Sequence, residues 1–364
     1  MNRRQMLIAG GVATVLGAGA GLFGLRQAGL ARYDDAQRAV RAPLGLDPRA
    51  HDLVRFATLA PNGHNAQPWR FALAPQRITI RPDFARRTPV VDPDDHHLFI
   101  SLGCAAENLA LAASASGRRG EAVFDPAGDG AIAFDYRPGA AEPSLLFDAI
   151  ARRQSTRADY DGRGMGSADL AALAAAAAMP GVDLVLVTDR LAIDRVRDLI
   201  LAGNDVQMAD PAFLRELKRW LRFSPHHALE SGDGLYSAAS GSPALPDWIG
   251  PRAFDMMVSA KSEKDKYARQ LNSSSGLAIF VGAAEDRGHW VRVGHACQRF
   301  ALQATALGMK LAFVNQPVEV ARFRPELAKL IGLPGRRPDL VMRFGYGPAL
   351  PYAPRRAVER VITA

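Results

Sequence analysis

Two cysteines, Cys104 and Cys297, are all that 364 residues contain. That scarcity excludes a disulfide framework, and the absence of metal-ligand spacing around them argues against a zinc site. Both lie in apolar, helix-like stretches, the usual setting of a small buried hydrophobe. The chain also lacks a G-x-G-x-x-G dinucleotide fingerprint set between a strand and a helix. No Ser/His/Asp or Cys/His arrangement suited to nucleophilic catalysis stands out. His96, His97, His226, His227, His289 and His295 read as surface or core residues. Clustered basic charge is missing too: the net charge is +8 and the pI about 9.8, but the arginines are spread along the chain, which leaves no nucleic-acid footprint.

What is present is an ordinary globular composition, 48% hydrophobic and 23% charged. The length exceeds what one hydrophobic core usually serves, so two domains or one large pseudo-symmetric unit is expected. The chain opens MNRRQMLIAGGVATVLGAGAGLFGLRQAG. Arg3 and Arg4 precede an uncharged run from Leu7 to Leu25, similar to a twin-arginine export signal from which Asn2 and Met6 depart. Gly29-Leu30-Ala31 is a poor cleavage site, so residues 1–31 are expected either as a removed signal or as a retained anchor. The uncharged run is near the lower length for spanning a bilayer. Either outcome implies export, to the periplasm or to the face of the cytoplasmic membrane.

Beyond the signal, Asp47 and Pro48 predict the N-cap and first residue of a helix that ends at Pro61. WRFAL and RITIRPD, separated by Pro75-Gln76, predict a hairpin. A long buried helix is expected from Asp92-Pro93 onward. It has a twin: GCAAENLALAASASG, Gly103 to Gly117, aligns without gaps on GHACQRFALQATALG, Gly294 to Gly308. Glycines coincide at both ends, and alanine or leucine at several positions between. Such a repeat suggests duplication and an internal pseudo-dimer. Each half carries something the other lacks. The first, 42–145, holds the loop APNGHNAQPW; the second, 146–364, holds the turn ARRQSTR. Residues 201–250 form a long Gly/Ser/Pro-containing excursion with Trp220 and Trp248, readable as a lid or as a surface loop.

Arg152, Arg153 and Arg157 with the Ser155 and Thr156 hydroxyls could grip a phosphate through paired hydrogen bonds, or could form a solvated basic face. Arg355 and Arg356 close the chain after a glycine-bearing strand. If the two clusters meet, an anion between them would relieve their repulsion.

Taken together, these motifs resemble the FMN-binding nitroreductase superfamily, and within it the Acg-like branch that fuses two modules in one polypeptide. The resemblance runs from about Ala42 to the end. It implies an α+β fold: two nitroreductase-like modules, antiparallel-type sheets flanked by helices, joined as an intramolecular pseudo-dimer that can be monomeric. FMN is the implied cofactor. Arg153, Gln154, Ser155 and Arg157 match the phosphate and ribityl motif, with Gln154 in a slot usually basic. Pro61, Asn62, Gly63, Asn65 and Gln67 match the loop that crosses from the partner module, with Asn62 where serine is usual. Arg356, less securely Arg355, matches the terminal basic position. Arg157 is the cation expected near flavin N1/O2, and Asn65 is expected along the flavin. Gln316 falls where the family turns a strand end toward flavin N5, though a structural turn would fit equally. His64 is the one histidine placed to approach substrate.

Because each half lacks one motif, a single site is expected, assembled across the halves. The implied activity is hydride or electron transfer to a small electrophile such as a nitro compound or quinone, with the flavin carrying the chemistry. The alternative of another class is FMN storage or sequestration with little turnover; a cofactor-free interaction protein is a third.

Overall fold

The computed structural model describes residues 27–363. The expected signal, including Arg3, Arg4 and the Leu7–Leu25 run, lies outside the described residues except for its last few positions. Two sheets organise the chain. The first contains β1 (Trp69–Ala74), β2 (Arg77–Pro82), β3 (Arg118–Asp125) and β4 (Ala131–Pro138), in the order β1-β2-β4-β3. The β1–β2 hairpin turns at Pro75-Gln76, where Gln76 adopts φ 57°, as the alternating apolar pattern and turn residues predict.

The second sheet is antiparallel. It orders β5 (Val182–Val187), β8 (Gly276–Gly282), β10 (Leu340–Gly345) and β9 (Lys310–Phe313) as β5-β8-β10-β9. A small parallel pair, β6 (Leu221–Arg222) with β7 (Leu235–Tyr236), lies between β5 and β8 in sequence. The two central strands of the second sheet are buried at every residue. Their continuous apolar runs follow from packing on both faces. Ala278, Phe280, Met342 and Phe344 point into the core shared with the long helices, while Leu277, Ile279, Val281 and Val341 fill a second core.

Between the sheets run the twin helices His96–Ala115 and Arg287–Ala306. Their closest approach is at the repeated glycine. A β-carbon on Gly103 would stand 2.1 Å from the Val291 carbonyl oxygen, and one on Gly294 would stand 2.1 Å from that of Ile100. Val291 and Ile100 each lie three residues before the opposing glycine, so the contact obeys a local twofold relation. Cys104 Sγ adds a 3.2 Å contact to the Gly294 carbonyl, and both cysteines are buried and unbridged. The His96–Ala115 helix is the one described helix long and apolar enough to cross a membrane, and it is a buried core helix.

Two helix starts depart from expectation. The helix expected from Pro48 begins at Ala50 instead; Asp52 reaches back to accept from the Arg49 N–H at 2.9 Å, which supplies the cap that Asp47 was expected to give. The long helix begins at His96 because Asp95 sits in the left-handed region at φ 59°. Asp92 instead accepts from the His97 and Leu98 N–H groups at 2.9 and 3.0 Å.

The final strand, β11 (Ile362–Thr363), pairs parallel with β1, Phe71 opposite Ile362. The segment 346–361 therefore leaves the second sheet at β10 and ends on the first. It crosses the junction between the modules.

Candidate functional site

The basic turn is placed by the sequence on either side of it. Ser144 caps the short helix Leu145–Ile150 by accepting from the Phe147 N–H at 3.1 Å. Beyond it, Ser155 forms a parallel bridge with Leu311 and Thr156 N–H donates to the Leu311 carbonyl at 2.7 Å. The turn is thus fastened to the edge of β9.

The amide loop faces it from the first module. His64, Asn65 and Gln67 have φ of 47°, 52° and 54°, a left-handed cluster that non-glycine residues hold only when neighbours enforce it. Asn62 Oδ1 accepts from the Gln67 N–H at 2.7 Å and braces the loop from within. Asn65 Nδ2 donates to the carbonyls of Gly234 and Pro354, both at 3.0 Å. Gln67 Nε2 donates to Gly232 O at 2.8 Å, and its Oε1 accepts from the Arg356 N–H at 3.0 Å. These two amides therefore hold three chain segments together.

Between loop and turn lies one pocket, with about 540 Å³ of atom-free space partly open to solvent. Pro61, Asn62 and Asn65 line it from the first module; Arg153, Gln154, Ser155 and Arg157 line it from the second. Arg355 reaches it from the crossing segment. The amide-bearing loop and the guanidinium-bearing turn thus close on the same cavity.

Four of the twelve expected residues do not line it. Gly63 is not among the residues that line it, and a β-carbon built on it would meet open space. Gln67 is fully buried by its clamp on Gly232 and Arg356. Gln316 starts the short helix Gln316–Glu319, where Gly203 packs on it too closely for a β-carbon; that is the structural-turn alternative. Arg356 donates to Arg360 O at 2.8 Å and lies 3.9 Å from Asp83. In the extended crossing segment neighbouring side chains point to opposite sides. Arg355, the less favoured candidate, is the one turned inward.

Residues the sequence did not single out complete the wall. Arg41 and Tyr352 line the pocket, the guanidinium lying 3.9 Å from the ring centroid. Tyr33, in the helix spanning 27–40, is 1% exposed; its hydroxyl donates to Tyr352 O at 2.6 Å and its ring lies 4.7 Å from Tyr236. Tyr236 and Ser240, from the excursion expected as a lid or surface loop, form the remaining side.

The electrostatics are one-sided. Arg153 Nη2 and Arg355 Nη2 both donate to the Leu59 carbonyl, at 2.9 and 3.2 Å, and Arg355 Nη1 donates to Asn65 Oδ1 at 2.8 Å. Arg153 Nε and Nη1 and Arg355 Nε are buried with no partner. Burial pushes Arg41 and Arg153 down to about 10. Burial, then the neighbouring Arg41 and Arg153, holds Arg355 well below its ordinary value. No carboxylate is among the groups acting on these three. Buried guanidinium hydrogens without acceptors are costly, and an oxyanion would satisfy them in pairs. Burial, and to a lesser extent Arg157 and His97, lowers His64 to about 4, so it is a neutral imidazole at neutral pH; it is not among the residues that line the pocket.

No family model matches the chain. A Mycobacterium tuberculosis H37Rv protein provisionally named NAD(P)H nitroreductase Rv3131 is 28% identical over 326 residues, covering 85% of this chain and 90% of its own. A second protein of that strain, provisionally named NAD(P)H nitroreductase acg, is 22% identical over 333 residues, covering 85% and 93%. Among solved structures, an FMN-bound nitroreductase from Desulfitobacterium hafniense aligns with 61% of this chain and 99% of its own, at 17% identity and a TM-score of 0.39, too low for any inference to rest on it. The two mycobacterial relatives support the resemblance to the nitroreductase superfamily, its Acg branch included.

Proposed function

We propose that this pocket binds FMN and that the protein is a nitroreductase-type oxidoreductase acting on a small electrophile such as a nitro compound or quinone. The observation that carries the reading is the set of buried, partnerless guanidinium atoms on Arg153 and Arg355, brought together from different parts of the chain in a pocket without a carboxylate. A phosphate monoester fits that donor set: it offers several acceptor oxygens and up to two negative charges. Names of the mycobacterial relatives point the same way.

Arg153, Arg355 and Arg41 would hold the phosphate, with Asn65 fixing Arg355 by its 2.8 Å bond. Asn62 and the Pro61 backbone would border the ribityl chain. Arg157 would set its charge beside the flavin edge that becomes negative on reduction. Bound FMN supplies the hydride or electron transfer. Gly63, Gln67, Gln316 and Arg356 support the site at a distance. We further propose, from Arg3, Arg4 and the Leu7–Leu25 run, that the chain is exported by the twin-arginine route and stays at the cytoplasmic membrane or in the periplasm.

The test is to purify the protein with added FMN, record the flavin absorbance, and mix it anaerobically with NADH, NADPH and dithionite. Bleaching by pyridine nucleotide followed by reoxidation with a nitroarene or quinone is the expected result. Bleaching by dithionite alone would replace catalysis by FMN storage. A protein that takes up no FMN would overturn both.

A further inference from the structure

The short helix Gly250–Met257 and the turn before it carry three large apolar side chains in solvent: Trp248 is 72% exposed, Met256 86% and Met257 72%. Trp248, Arg252 and Met256 recur at i, i+4 and i+8, so they share one face. Arg252 Nη1 donates back to the Trp248 carbonyl at 2.9 Å, which fixes the face. Lys261 is exposed just beyond the helix. The nearby carboxylates are engaged, Asp255 by an ion pair with Lys218 and Asp247 by the Ser224 hydroxyl. A tryptophan and a flexible thioether on one face with basic residues near it are the composition of a surface that dips into lipid headgroups and acyl chains.

What would cover this face follows from where the undescribed chain begins. Gly29, in the 27–40 helix, packs on the ring of Pro225, 3.7 Å from the position its β-carbon would take. Pro225 is held against the Trp248 turn. Ser224 Oγ donates to Asp247 Oδ2 at 2.7 Å, Leu245 N–H donates to Phe223 O at 2.9 Å, and the Phe223 ring fills the space at Gly250. The described chain therefore begins, at residue 27, next to the elements that hold the Trp248 turn.

We propose that the Trp248–Met256 face is a second membrane contact, resting on the bilayer that the Leu7–Leu25 run enters, so that the excursion flanking the pocket lies at the lipid surface. The proposal rests on the reading of residues 7–25 as a membrane segment and is independent of the cofactor.

Three of the four tryptophans, Trp69, Trp220 and Trp290, are 0, 4 and 7% exposed, so a quencher dissolved in lipid reports on Trp248. The full-length protein is reconstituted into phosphatidylcholine–phosphatidylglycerol vesicles with and without brominated acyl chains. Bromine-dependent quenching and a blue-shifted emission are expected, with most of the quenching lost in Trp248→Phe and a smaller loss in Met256→Ser. Three results would overturn the proposal. They are a vesicle-bound protein whose fluorescence is indifferent to bromine, quenching unchanged by Trp248→Phe, and Trp248→Cys cross-linking to a second copy or to the 7–25 run in place of lipid contact. Failure of the protein to float with vesicles at all would remove the anchor as well, which separates the two readings.

Discussion

Arg153 and Arg355 donate to one and the same acceptor, the carbonyl oxygen of Leu59. Two buried guanidinium groups converging on a single neutral oxygen repel each other, and only an anion relieves both. Replacing either by methionine removes one buried like charge. The ligand-free Arg153→Met and Arg355→Met proteins are therefore expected to melt no lower than the parent, while losing FMN affinity by roughly 10- to 100-fold, the worth of about 1.5–3 kcal/mol for a charge-assisted bond. Thermal shift with and without FMN separates the two effects. A variant that melts lower yet binds as before would refute the assignment.

Gly103 and Gly294 set the separation of the twin helices. Alanine at either position meets a backbone carbonyl that has no rotamer to escape into. Each single substitution is expected to cost about 3 kcal/mol, although alanine is intrinsically the better helix former by about 1 kcal/mol. Because both methyl groups push on the same gap, the double variant should cost less than the sum. Gly45→Ala, outside any helix and with open space where the β-carbon would stand, is the control. Urea titrations of the parent, the two single variants, the double variant and the control measure all four differences.

Asp92 supplies a pH signature. Burial raises its carboxyl from 3.8 to about 7, opposed by the N–H groups of His97 and Leu98. Between those values the folded chain holds a proton that the unfolded chain releases, so stability falls as pH rises and the fall is complete above pH 7. Asp92→Asn lacks this slope. It should be the less stable protein at pH 4.5, having given up one acceptor, and should gain on the parent by up to about 4 kcal/mol by pH 8.5. Equal pH dependence in parent and variant would contradict the raised carboxyl. Asp339, raised to about 6 chiefly by burial, titrates in both proteins and cancels.

Local pattern carried much of this structure. Alternating apolar residues around Pro75-Gln76 announced the hairpin. The repeated Gly–Ala spacing announced the helix pair, because close helix packing needs small residues on both sides. The arginine turn and the amide loop were recognisable as motifs. Their bonding was not: Asn65 meets backbone carbonyls 169 and 289 residues away, and no local rule reveals such partners. Arg355 and Arg356 differ only by which side of an extended segment they occupy. Arg41, which lines the pocket, and Tyr33, which backs its wall, lie outside the motifs, in the stretch between signal and first module, and nothing in their spacing marks them. The start of the long helix was misjudged for a related reason. Asp92-Pro93 reads as a cap and first turn, but a left-handed Asp95 breaks the path.

The strap formed by residues 346–361 has a consequence for how the protein comes apart. It is rooted in one sheet, stitched to the other by β11, and pinned midway by Asn65 and Gln67. Neither sheet can peel away without tearing that seam, and one hydrophobic core runs between both sheets, so the halves should melt in one calorimetric transition. Whatever occupies the cavity beneath the seam acts as a rivet, raising that shared melting point for both halves at once.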